Sequence, residues 1–236
     1  MNYNLTENIE NPLVEVTLGR GEQILIERGS MVYHCGNVAL EGQLNSNGKT
    51  GLGGVMSAVG RSIVSNESIF ITKVTGEIDG AKIAIGPCIP GEIRELNISE
   101  DNRWMINDGA FLACGDGVNY QMKKQSLGKA VLGTGGLFVM ETTGAGLVLI
   151  HACANIIELE LDGTKTITVD NDRTLAWSSS LTYTPKAASG VLGFTTGEGF
   201  VNEFSGHGTV LIQTRNLTSI ISNIAIGMSK KGSLLT

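Results

Sequence analysis

Phe138-Val-Met-Glu-Thr-Thr-Gly-Ala-Gly-Leu-Val-Leu-Ile150 occurs twice in this chain. Sliding the sequence by 62 residues lays it on Phe200-Val-Asn-Glu-Phe-Ser-Gly-His-Gly-Thr-Val-Leu-Ile212, with eight of thirteen positions identical. Agreement at that level marks a duplication. A third, weaker copy runs from Phe70 to Ile85, its turn lengthened by two residues to Gly76-Glu-Ile-Asp-Gly80. Apolar and β-branched residues alternate on both sides of the glycines, which predicts a β-hairpin in each copy. Gly144, Gly146, Gly206 and Gly208 would supply the positive φ of its tight turn.

Working outward, each copy is preceded by a second shared element: Gly29-Ser-Met-Val-Tyr33, Gly109-Ala-Phe-Leu-Ala113 and, less closely, Ser180-Leu-Thr-Tyr183. Between the two elements lies a glycine-rich apolar connector: Gly51 to Met56, Ala130 to Gly136, or Gly190 to Phe194. Three copies of one β-unit result, at about residues 1–88, 89–154 and 155–216. No proline-rich or charged linker separates them, so one compact β domain over 1–216 is expected. Other short runs, such as Gln23 to Glu27, Ile156 to Leu161 and Ile167 to Val169, also read as strands. Before residue 217 the only weak helical pattern lies near Val55 to Ser65, which leaves an all-β chain and excludes a parallel α/β fold.

Residues 217–236 differ in character. Leu217, Ile220, Ile221, Ile224 and Met228 share one helical face, and Lys230-Lys231 follow where a helix C-terminus favours cations. A short amphipathic helix is expected, its apolar face packed on the β-core or a neighbouring subunit, or lying in a membrane interface.

Composition narrows the function. The 236 residues hold 17 Lys+Arg against 23 Asp+Glu, a net charge of -6, which is the wrong sign for a general nucleic-acid binder. With 42% hydrophobic and 17% charged residues, the chain has ample material for a core. Glycine, 32 of 236 residues, is about twice its usual share of ~7%, as many tight turns require. Met1 to Glu10 is polar and acidic rather than a signal peptide, and no apolar stretch approaches the ~18 residues that span a bilayer. Cys35, Cys88, Cys114 and Cys153 show no C-x-x-C pair and read as free thiols of a cytoplasmic protein.

These units carry a family resemblance. Pro90 to Leu96, Gly109 to Ala113 with Gly117-Val118, Leu159 to Asp170 with Ala176-Trp177, and Gly197-Glu-Gly199 through Val210 to Arg215 recur in order. Over about residues 12–216 the chain resembles the TRAP-like (tryptophan RNA-binding attenuator protein-like) family that includes the altered-inheritance-of-mitochondria proteins. That resemblance implies three tandem TRAP-like β-subdomains in a pseudo-threefold ring. It implies no catalytic activity, and its mitochondrial branch is associated with inner-membrane organisation. RNA binding does not carry over, because no Lys/Arg cluster repeats among the units.

Few residues of the chain are spaced for chemistry. Gly42-Gln-Leu-Asn-Ser-Asn-Gly-Lys-Thr50 has five residues between its glycines where a P-loop needs four, and reads as a polar turn. Gly133-Thr-Gly-Gly136 lacks an adjacent lysine. His34, His151 and His207 have no zinc spacing, and the duplication gives Ala145 and Gln213 as partners of His207 and His151. His34 and Cys35 are adjacent and would point to opposite faces of a strand. Glu158 and Glu160 share one strand face, as solvated residues do. No catalytic residue, metal site or cofactor is therefore expected. Arg215 is the one charged residue marked as a ligand anchor.

Two functions are consistent with this pattern. The first is a non-enzymatic scaffold or interaction module, peripheral to a membrane, with protein partners or further copies of itself. Leu52, Val55, Met56, Val131, Leu132, Val191, Leu192 and Phe194 of the connectors would form its apolar interface. The alternative is a small-molecule or anion-binding protein with a pocket between subdomains.

Overall fold

The computed structural model describes residues 1–6, 11–44, 70–107, 109–124, 138–191, 200–217, 219–221 and 224–225. Strand β1 (Asn2–Leu5) comes first, and eighteen more follow in three sets of six. The first set is β2 (Val14–Leu18), β3 (Gln23–Glu27), β4 (Met31–His34), β5 (Val38–Leu44), β6 (Phe70–Gly76) and β7 (Ala81–Ile85). The second is β8 (Ile93–Ile98), β9 (Trp104–Asn107), β10 (Phe111–Gly115), β11 (Val118–Lys124), β12 (Phe138–Gly144) and β13 (Gly146–His151). The third is β14 (Ile156–Asp162), β15 (Ile167–Asp170), β16 (Thr174–Ser178), β17 (Thr182–Val191), β18 (Phe200–Ser205) and β19 (His207–Gln213). A 3-10 turn, Asn171–Arg173, links β15 to β16. The chain is thus nearly all β, as its periodicity predicts.

Among the described residues the strands form four antiparallel sheets: β1-β2-β7-β4, β5-β6-β3-β10-β13-β8, β11-β12-β9-β16-β19-β14 and β15-β18-β17. Within a set, the first, sixth and third strands form one group of three, and the second, fifth and fourth form the other. The two six-stranded sheets arise because the second strand of one set pairs with the third strand of the next. Ala113 stands opposite Ile26 and Cys114 opposite Leu25 where β10 meets β3. Ala176 stands opposite Ile106 and Trp177 opposite Met105 where β16 meets β9. A closed ring needs a third such junction, and no ladder joins β15 to β4 among the described residues.

One expectation about the duplicated stretch is corrected. Phe138 to Ile150 is not a hairpin, for β12 and β13 lie in different sheets, as do β18 and β19, and β6 and β7. The segment is a corner that carries the chain across its sandwich. Alternating patterns on either side of glycines look the same in both cases, because alternation reports a half-buried strand and not its partner. The glycines serve the corner: Gly144 has φ +84°, and a Cβ there would lie 2.4 Å from the Gly117 carbonyl oxygen. Within the sets, the consecutive strands that pair are β5-β6, β11-β12 and β17-β18, each pair linked in sequence by a glycine-rich connector.

The upstream element of the third unit is also corrected. β4 and β10 each bulge, between Met31 and Tyr33 and between Phe111 and Ala113, and the matching bulge in the third set falls between Thr174 and Ala176. Asp172 to Ala176, not Ser180 to Tyr183, is therefore the counterpart of Gly29 to Tyr33. Leu181 sits buried in the following turn and Tyr183 lies in β17, so an apolar alternation one strand later imitated the element. β1 lacks an apolar alternation in the sequence, because Asn2, Tyr3 and Asn4 are polar and only Leu5 is aliphatic, as suits an edge strand. It pairs with β2 from Asn2↔Thr17 to Leu5↔Val14.

One core lies between each successive pair of sheets. Val14, Val16, Leu18, Ile83 and Ile85 of the first sheet meet Ile24, Ile26, Leu112 and Leu149 of the second. Val148 and Ile150, flanking Leu149 on β13, point the other way and meet Ile106, Met140, Ala176 and Leu211 of the third sheet. The last core joins Met105, Val139, Trp177 and Val210 to Val169 and Phe204 of the fourth. Both faces of β13 are therefore buried, and it reads as a near-continuous apolar run.

Phe204 is fully buried, edge-on to Trp177 at 5.3 Å between ring centroids. Phe204→Ala should lower unfolding stability by about 3–5 kcal/mol in a urea titration. Ile157→Ala, at a 43% exposed position of β14, should stay within about 0.5 kcal/mol of the parent. A Phe204→Ala midpoint equal to that of the parent would contradict the third core.

Candidate functional site

The polar residues marked in the sequence are not gathered into one catalytic site. His34 accepts a hydrogen bond at Nδ1 from the Gly36 N–H, 3.1 Å away, on exposed chain. His151 is buried, with Nε2 3.4 Å from Glu27 Oε2 at the junction of the first two sets. His207 opens β19 beside Gly163. Among the described residues no group of three or more His, Cys, Asp or Glu side chains could hold a metal ion. Glu158 pairs with Arg94 at 3.3 Å and Glu160 accepts from the Thr209 hydroxyl, both on the exposed side of β14.

The thiols divide by burial. Cys35 and Cys88 are exposed, while Cys114 and Cys153 are buried. Loss of solvent pushes the Cys114 thiol up to about 12, with a hydrogen bond involving the Leu25 backbone opposing it. It is a neutral core residue at physiological pH and not a nucleophile.

Arg215 is exposed, and its Nη1 donates to the Thr214 carbonyl at 3.0 Å. Its backbone N–H donates to Cys153. The more connected residue nearby, which the sequence did not single out, is Asp172. Its carbonyl accepts from Gln213 Nε2 at 2.7 Å and its carboxylate from Asn216 Nδ2 at 3.5 Å. Asn216 is buried and forms the N-cap of a helix, its Oδ1 accepting from the Ser219 N–H at 3.0 Å. The body thereby holds the helix by its first residue.

Leu217, Ser219, Ile220, Ile221, Ile224 and Ala225 are helical. The apolar face does not bury itself on the β-core: Leu217 and Ile220 are 40% exposed, Ile221 and Ile224 57%. Met228 lies outside the described residues. Leu52, Val55, Met56, Val131, Leu132, Leu192 and Phe194 of the connectors also lie outside them, and of Val191 only the backbone, the last residue of β17, is described.

A second apolar surface escaped the sequence reading. Met31, Val32 and Tyr33 on β4 are 42%, 56% and 41% exposed, whereas Phe111, Leu112 and Ala113 of the equivalent β10 are all buried. Their sequence gave no sign of the difference, since the same element is core in one copy and edge in another. On the outer face a chain of polar contacts pins β4 to its sheet. The Tyr33 hydroxyl donates to Glu15 Oε2 at 2.8 Å, and Lys82 Nζ donates to Glu15 Oε1 at 2.7 Å. The Lys82 and Tyr33 bonds hold the Glu15 carboxyl below the usual carboxylate range. The same contacts raise Lys82 and Tyr33.

Comparison with known proteins places these features in a family. A family model described as mitochondrial biogenesis AIM24 matches residues 3–215, so the chain belongs to that family. An uncharacterized protein of Streptococcus pyogenes serotype M6 is 43% identical over 219 residues, covering 92% of this chain and 87% of that protein. The X-ray crystal structure of a Streptococcus pyogenes protein superposes with a TM-score of 0.79 at 38% identity, covering 95% of this chain and 98% of that one.

The thiol assignment has a direct consequence. Native protein treated with iodoacetamide near pH 8 should gain two adducts by mass spectrometry, on Cys35 and Cys88, and all four only after unfolding. Rapid native labelling of Cys114 would overturn the burial argument.

Proposed function

We propose that this member of the mitochondrial biogenesis AIM24 family is a non-enzymatic interaction module that lies on a membrane surface through its C-terminal helix. The observation that carries the reading is the exposed row Leu217, Ile220, Ile221 and Ile224 on a helix whose N-cap, Asn216, is buried and bonded to Asp172. The three sets of strands support taking the body as tandem TRAP-like subdomains, a platform that presents the helix. No helix among the described residues is long and apolar enough to cross a bilayer, so the contact is interfacial.

Magnitudes suit a reversible contact. Fully burying one Leu or Ile side chain contributes about 1.5–3 kcal/mol, and these four are about half exposed, so roughly 3–6 kcal/mol is available. Lys230 and Lys231, next in the sequence, would add about 1 kcal/mol each at an anionic surface. The sum corresponds to weak binding by one copy.

Co-sedimentation with phosphatidylcholine vesicles, with and without phosphatidylserine, tests the reading. The full chain should pellet with vesicles, more strongly with phosphatidylserine, and a chain ended after Asn216 should remain in the supernatant. Ile220→Ser with Ile224→Ser should weaken binding about tenfold or more, given the apolar area removed. Equal behaviour of the full and shortened chains would overturn it.

A further inference from the structure

An arginine stands at each end of the tether that holds the C-terminal helix. Arg173 follows Asp172 in sequence, and Arg215 precedes Asn216. Their guanidiniums converge on one atom. Arg173 Nη1 donates to the Thr214 carbonyl oxygen at 2.7 Å, and Arg215 Nη1 donates to the same oxygen at 3.0 Å. The two Nη1 atoms are therefore no farther apart than these two bonds laid end to end. Like charges at that separation repel, and a neutral carbonyl cancels neither of them.

Elsewhere the fold pairs its exposed cations. Arg94 sits on Glu92 and Glu158, and Lys73, Lys82, Lys123 and Lys186 each sit on a glutamate. Among the described residues, no such ion pair includes Arg173 or Arg215. Arg173 is half-buried, so its charge is partly withdrawn from water, while Arg215 opens the pair to solvent. The Asp172 carboxylate beside them accepts from Asn171 Nδ2 at 3.4 Å and from Asn216 Nδ2 at 3.5 Å. Arg173, Arg215 and Asp172 together leave one positive charge in excess. The Thr214 carbonyl takes one N–H from each guanidinium, out of the five that each carries.

From this convergence we propose that Arg173 and Arg215 bridge the phosphate of an anionic phospholipid at the foot of the helix. The inference rests on the lipid reading above and names the headgroup that the surface selects. A phosphodiester offers two non-bridging oxygens, one to each guanidinium, in short charge-assisted hydrogen bonds. Its single negative charge matches the single excess positive charge. Phosphatidylglycerol, which has no cation of its own, fits this arrangement, whereas the choline of phosphatidylcholine would bring a third positive charge to the pair. The N-cap sets the depth. Leu217 lies two residues beyond Arg215, so a phosphate held by the arginines leaves Leu217, Ile220, Ile221 and Ile224 at the boundary of the acyl chains.

Co-sedimentation of the full chain tests the bridge, with vesicles of phosphatidylcholine alone and of equal parts phosphatidylcholine and phosphatidylglycerol. Physiological ionic strength screens diffuse attraction beyond about 8 Å. Arg215→Lys keeps the charge and removes the planar fork. It should weaken binding to the mixed vesicles about tenfold, with binding to phosphatidylcholine alone and the unfolding midpoint kept at the parent values. Equal binding of the parent to both vesicles, or an Arg215→Lys chain that binds the mixed vesicles like the parent, would overturn the bridge and leave the helix contact standing. A full chain that pellets with neither vesicle would overturn the lipid reading and the bridge together. In that case inorganic phosphate is the second probe: a rise in the parent's unfolding midpoint that Arg215→Lys abolishes would make the pair a site for a soluble anion.

Discussion

Backbone pairing of β3 with β10, and of β9 with β16, is the constraint on which the rest of the structure rests. Each set of six strands is a small sandwich of two three-stranded layers, and a unit of that size leaves much of its apolar surface in water. Merging the layers of neighbouring sets into six-stranded sheets removes edges and gives each shared sheet a core on both sides. β13 shows the result. Leu149 belongs to one core while Val148 and Ile150 belong to the next, so the strand must be apolar at consecutive positions.

That requirement explains how much of the fold was legible. The duplicated stretch is well preserved between the second and third sets because its residues are fixed by two cores at once. Its strands, their number and the unit length follow from the repeat. The pairing does not. Phe138 to Ile150 reads as a hairpin because one-sided alternation and glycines describe a corner equally well, and only the distant partners β9 and β10 tell which is present. Bulges are invisible in a single sequence for the same reason, which is why Ser180 to Tyr183 imitates the true counterpart, Asp172 to Ala176.

The candidate surfaces were legible in unequal degree. The helix face Leu217, Ile220, Ile221 and Ile224 is a local property, and its period of 3.6 is written in the chain. Its exposure is a tertiary property that depends on Asn216 being held at Asp172, forty-four residues away in sequence. The β4 edge is the opposite case. Gly29 to Tyr33 looks like Gly109 to Ala113, and the difference lies in the neighbour: β3 pairs with β10, while among the described residues no strand pairs with the outer edge of β4. No residue of β4 records that absence.

On the proposed reading, the Asn216 tether turns a local sequence pattern into a surface. A helix fixed to the β-body at its N-cap keeps Leu217, Ile220, Ile221 and Ile224 about half exposed instead of folded back on a core. Four half-exposed side chains amount to a few kcal/mol at a lipid interface, so the proposed contact would be reversible, whereas a longer apolar run would hold the protein on the bilayer. The same tether would keep the β-body close to whatever the helix meets, because the bonded N-cap leaves no free linker between them.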